Sequence, residues 1–137
     1  MLKRVKQREA QQMAKIRIRE EHDCRIMSAA DFAIEQFGAD FDLSRFSDEA
    51  LATKLRIFHE GSDSAPQLFE TQMLPNAVAA VHSHEQDEII YILGGEMLVG
   101  KRSLKRGATI FIAAETLYGF QAGPEGLQFL NFRPKRC

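Results

Sequence analysis

From about residue 51 to residue 132 the chain is a succession of short apolar runs, each interrupted within a few residues by Gly, Pro, Asn or a Ser/Asp cluster. Runs this short and this regularly punctuated are strands, because an ordinary helix needs a longer uninterrupted pattern. The pattern predicts strands over Thr53–His59, Pro66–Leu74, Ala77–His84, Glu88–Leu93 and Glu96–Val99. Further strands are expected at Ser103-Leu104, Thr109–Ala113, Leu117–Gln121 and Leu127–Phe132. Gly94-Gly95 is expected to separate two of these, and Ala122–Gly126 to split the last two. With no helix between them, strands of this kind pair antiparallel in a sandwich or barrel.

Upstream the pattern differs. Residues 28–37 predict a short helix capped by Ser28 and ended at Gly38. Residues 39–50 are irregular, with Phe41, Leu43 and Phe46 as anchors and Ser47-Asp48-Glu49 as the start of a helical turn. Residues 1–26 form an arm with eight Lys/Arg against four Asp/Glu, whereas the remainder is acidic. The expected organisation is a basic arm over 1–26, helical or disordered, a lead-in over 27–50, and a β body over 51–134.

With 137 residues, 45% of them hydrophobic, the chain suffices for one core. Its formal net charge of -1 offers no general attraction to nucleic acid. No apolar run approaches the ~20 residues of a membrane helix, and the charged N-terminus lacks a secretory pattern. The expectation is a cytoplasmic protein without nucleic-acid or membrane partners. Cys24 and Cys137 are expected as free thiols. His22 and Cys24 are too few to make a metal site.

Chemistry concentrates in Pro75–Gly100, PNAVAAVHSHEQDEIIYILGGEMLVG. Residues two apart on a strand share a face, so His82 and His84 project together. A turn through Glu85-Gln86-Asp87 brings Glu88 back beside them on the next strand. Two imidazoles and a carboxylate on one face are a ligand set for a divalent ion. Strand parity adds Val78 and Ala80 to the wall near the histidines, Ile90 and Ile92 to that near Glu88, and Phe120 to that near Tyr118. Glu85 and Asp87 are expected to face solvent. Arg133 could hold a substrate carboxylate, but before Pro134 it has the character of a solvated chain end.

His82, His84, Glu88 and Gly95 fall at the spacing of the first cupin motif, with Asn76 at its leading glycine, a residue that tolerates positive φ. Gly107 opens a segment spaced like the second motif. There Ala113 stands at the proline, Glu115 at the glycine, Tyr118 at the histidine and Ala122 at the asparagine. Over roughly residues 52–132 the chain therefore resembles the cupin superfamily. The resemblance implies an all-β double-stranded β-helix, or jelly-roll barrel, with a short N-terminal helical segment and a pocket in its mouth. It also implies a metal site of His82, His84 and Glu88 for iron, zinc, manganese or nickel, without the fourth ligand. Tyr118 is then a ligand, a proton donor and candidate catalytic residue, or a filler. The expected function is a metal-dependent enzyme acting on a small organic molecule, of dioxygenase, isomerase, cyclase or lyase type. The alternative is a non-catalytic module that binds a small molecule or metal. A homodimer is the expected assembly.

Overall fold

The computed structural model describes residues 15–44 and 46–136. Most of the arm expected over 1–26 and the free thiol expected at Cys137 lie outside the described residues. A 3-10 turn, Glu21–Asp23, leads to β1 (Arg25–Ser28), α1 (Ala29–Phe37) and α2 (Asp48–Leu51). Then follow β2 (Lys54–His59), β3 (Gln67–Met73), β4 (Val78–His82) and β5 (Glu88–Val99). The series ends with β6 (Arg102–Lys105), β7 (Thr109–Ile112) and β8 (Tyr118–Arg133). Both helices start as their sequences predict: Ser28 Oγ accepts from the Asp31 amide and Ser47 Oγ from the Ala50 amide, each at 3.1 Å. Cys24 is a buried free thiol. Strand β1 crosses the boundary drawn between arm and lead-in and pairs with β2. Among the described residues no helix is long and apolar enough to cross a membrane.

All strand pairings are antiparallel. The two long strands β5 and β8 run beside each other and divide their other edges between short partners. The first half of β5 pairs with β7 and its second half with β6. The first half of β8 pairs with β4 and its second half with β3, which continues through β2 to β1. The chain is thus a mainly β, antiparallel structure. The expected barrel is not closed by hydrogen bonds, because no pairing joins β1 to β6.

The breaks expected at Gly94-Gly95 and at Ala122–Gly126 are absent. Each glycine segment lies inside one continuous strand, and the two segments face each other across the β5–β8 ladder. The register shifts there, between Ile92 and Gly94 and between Gly95 and Met97. Gly95 has φ 72°, and a Cβ placed on it would stand 2.2 Å from the Gly126 carbonyl oxygen. These glycines bend two paired strands together rather than reversing the chain. The bend also changes parity along β8. Before it the inner positions are Tyr118, Phe120 and Ala122; after it they are Leu127, Phe129, Asn131 and Arg133.

The largest core cluster forms around Ile90, Ile92, Met97, Ala122 and Phe129. A second, of Leu55, Ile57 and Phe69, packs against Met27 and Phe32 and so ties the lead-in to the sheet. Asn76 takes φ 62°, as its place in the motif predicts, and Glu115 takes φ 63° without the tolerance that Asn has.

Two substitutions test this backbone account in urea denaturation. Gly95→Ala is expected to destabilise by about 2 kcal/mol or more, because β8 blocks the new methyl at a positive φ. Glu115→Gly is expected to stabilise by about 1 kcal/mol, the size of the left-handed penalty it relieves.

Candidate functional site

The site is built on the ends of β4, β5 and β8 and on the turns that join them. The Glu115 amide donates to the His84 carbonyl oxygen at 2.8 Å. The Ala114 amide donates to Asp87 Oδ1 at the same distance, so Asp87 ties the two motif turns together instead of only facing solvent. These bonds fix the segment that carries His84 against the turn that precedes Tyr118. On β4 the pairing shifts between Ala79 and His82, which pair with Phe120 and Tyr118. This bulge reverses the parity expected upstream of the histidines. Ala79 is partly buried against the core, whereas Val78 and Ala80 are exposed, although both line the cavity beside the histidines as expected. Ile90 and Ile92 point inward as expected, but they are core residues and do not line the cavity.

His82, His84, Glu88 and Tyr118 all line one cavity of about 570 Å³. The rings of His82 and His84 meet edge-on with centroids 4.8 Å apart, and His82 lies 4.5 Å from Tyr118. Glu88 is 1% exposed. Its Oε1 accepts from the Tyr118 hydroxyl at 2.7 Å, and its Oε2 accepts from Arg133 Nε at 2.6 Å. Arg133, far from being a solvated end, is itself 6% exposed. Its Nη1 donates to Gln67 Oε1 at 3.3 Å, and its Nη2 lies 3.2 Å from His84 Nε2. The guanidinium also stands 5.1 Å from the centroid of the Phe69 ring.

A guanidinium only donates hydrogen bonds, so His84 Nε2 accepts and the ring's proton is on Nδ1. Burial, reinforced by the positive charge of Arg133, lowers the His84 pKa from 6.5 to about 4, against the opposing pull of Glu88. His82 is arranged differently. Its Nδ1 is 2.6 Å from the Ala80 carbonyl oxygen. A carbonyl only accepts, so Nδ1 donates, and in the neutral ring Nε2 keeps its lone pair.

As arranged, His82, His84 and Glu88 do not form a ready site for a divalent ion. The one lone pair of His84 Nε2 is directed at Arg133, each Glu88 oxygen already accepts one hydrogen bond, and the permanent charge of Arg133 beside His84 and Glu88 would repel a divalent cation. Among the described residues, the His, Cys, Asp and Glu trio whose ligand atoms lie within 4.8 Å of one another is Glu20, His22 and Asp23, all exposed. Such exposed acidic groupings are common without an ion.

The sequence pattern did not reveal two parts of the site. Arg133 is placed by counting alternate residues from Phe129, not from Tyr118, because the bend in β8 changes parity between them. The other missed part is the lead-in. Phe32, Phe37, Phe41 and Phe46 all line the cavity. Phe37 and Phe41 stack at 5.1 Å, and Phe41 and Phe46 at 6.3 Å. The expected anchors Phe41 and Phe46 are thus cavity wall, which no local periodicity announces. Deeper in, Thr71 Oγ1 donates to Asn131 Oδ1 at 2.6 Å.

No family model and no curated protein matches the chain. Solved structures do. An RmlC-like cupin from Ralstonia eutropha is 12% identical, over 90% of this chain and 72% of that one, with a TM-score of 0.64. The polyketide cyclase RemF from Streptomyces resistomycificus is 22% identical, over 87% and 79%, with a TM-score of 0.59. Oxalate decarboxylase from Bacillus subtilis, described with Mn(II) centres, is 15% identical, over 61% of this chain and 26% of that one, with a TM-score of 0.52. These likenesses establish that this chain has the cupin fold.

Proposed function

We propose that the chain binds a small organic molecule in its cavity, at a polar centre organised by Arg133 in place of a metal ion. The observation that carries this is the buried Arg133–Glu88 pair, 2.6 Å long, with His84 and Tyr118 hydrogen-bonded to its two members. The pair supplies a fixed cation and neutralises the carboxylate whose charge would attract a metal. In this reading the open sheet curls as a jelly-roll barrel around the cavity, with the lead-in phenylalanines across its mouth. Tyr118 holds Glu88 rather than serving as a ligand or proton donor.

The second reading is the metal-dependent enzyme acting on a small organic molecule. It is favoured by the convergence of His82, His84, Glu88 and Tyr118 on one cavity, and by fold likeness to proteins named as a cyclase and a decarboxylase. It requires Arg133 to leave Glu88. The homodimer is also proposed. Phe111, Ile89 and Phe132 are paired neighbours across three strands on the outer face and are 66%, 44% and 38% exposed. A cytoplasmic location is proposed with it.

Elemental analysis and metal titration separate the two readings. The purified protein is expected to hold no stoichiometric iron, zinc, manganese or nickel. A stoichiometric ion in the unaltered protein would establish the metal-dependent reading instead. Arg133→Met is expected to lose about 3–5 kcal/mol in urea denaturation, since it leaves a buried carboxylate uncompensated, and to gain zinc affinity that the parent lacks.

The state of His84 predicts a pH dependence. Its folded pKa lies below the unfolded value, so between pH 6.5 and about 4 the unfolded chain binds the extra proton. Stability should therefore fall as pH drops through this window, and His84→Gln should flatten the slope there without changing it above pH 7. Light scattering of the purified protein should give twice the 15.5 kDa chain mass, and Phe111→Glu should return it to the monomer value.

A further inference from the structure

The charges in the cavity wall cancel internally. Glu88 and Arg133 are the charged residues lining it, and they are paired with each other. All three guanidinium nitrogens face protein partners: Glu88 on Nε, Gln67 on Nη1 and His84 on Nη2. Three of the five guanidinium N–H groups are used in this way, and Glu88 neutralises the cation at 2.6 Å. A charged ligand of either sign would enter a buried pocket whose own charges already cancel, and burying a charge without a counter-charge is costly.

What the cavity offers instead is aromatic surface. Tyr118, Phe120 and Phe129 form a connected series on the sheet side, with neighbouring centroids 6.3 and 5.6 Å apart. The stacked rings of Phe37, Phe41 and Phe46 form another on the lead-in side. Planar apolar groups fit between such surfaces. The His82 ring lines the cavity and, with its Nδ1–H held by the Ala80 carbonyl oxygen, has Nε2 as the nitrogen left to accept. Among the described residues, none donates to that nitrogen.

We propose that the ligand is an uncharged, largely aromatic molecule bearing a hydroxyl or N–H group, which donates to His82 Nε2. This rests on the reading of the cavity as a small-molecule site and specifies its ligand class.

Three probes of similar shape test it by calorimetric titration at pH 7.5: 2-naphthol, naphthalene and 2-naphthoate. At this pH a phenol is uncharged and a carboxylate is ionised. 2-Naphthol is expected to bind roughly tenfold more tightly than naphthalene, the upper range for one net hydrogen bond. 2-Naphthoate is expected to bind at least about tenfold more weakly than 2-naphthol. In His82→Phe, which keeps a ring but removes the acceptor, 2-naphthol should fall to the naphthalene level while naphthalene is unchanged. Naphthoate binding as tightly as naphthol would overturn the proposal and make Arg133 an anion receptor, leaving the small-molecule reading in place. An unaltered naphthol-to-naphthalene ratio in a folded His82→Phe protein would equally overturn the role of His82. If none of the three probes binds, the proposal and the small-molecule reading both fall.

Discussion

The ion pair between Glu88 and Arg133 is the contact on which the site depends. Neither group can be left in the interior alone: removing a carboxylate or guanidinium from water costs several kcal/mol, and only close pairing with further hydrogen bonds offsets it. Here those bonds are present. Tyr118 takes the second carboxylate oxygen, while Gln67 and His84 take two more guanidinium nitrogens. The network joins β3, β5 and β8 and the segment after β4, so the polar centre also fastens the strands that surround it.

That network exists because of the way β5 and β8 bend. Gly95 lets β5 approach β8 where a side chain would collide with the Gly126 carbonyl oxygen, and Gly126 itself leaves room for the Met73 carbonyl oxygen at the end of β3. After the bend, odd-numbered residues of β8 face inward, and Arg133 arrives opposite Glu88. Without the change of parity, Phe132 would take the inner position and the guanidinium would face solvent. One local backbone feature thus decides whether the site contains a fixed positive charge, and with it whether His84 Nε2 has its lone pair to offer an ion.

The lead-in adds to the wall of the cavity. Helix α1 starts at its Ser28 cap as expected, but it has no buried residue of its own. Phe32 packs against the second core cluster and also lines the cavity, and Phe37, Phe41 and Phe46 add further cavity wall. The irregular stretch therefore belongs to the cavity wall, and it adds aromatic rings to those that β3 and β8 supply.

The strand series, the capped helices, the turn at Asn76 and the convergence of His82, His84, Glu88 and Tyr118 were all legible in the sequence. Each follows from short-range physics: alternation along a strand, capping geometry, the φ tolerance of Asn, and fixed motif spacing. The continuity of β5 and β8 was not legible, because a glycine pair reads alike as a turn or as a close crossing until its partner strand is known. The burial of Arg133 was not legible either. It depends on a partner 45 positions away in the chain and on a parity that a distant glycine contact reverses. The sequence by itself determined which polar side chains meet. Only the tertiary structure decided that a guanidinium stands among them, because a buried charge is positioned by groups brought together from across the fold.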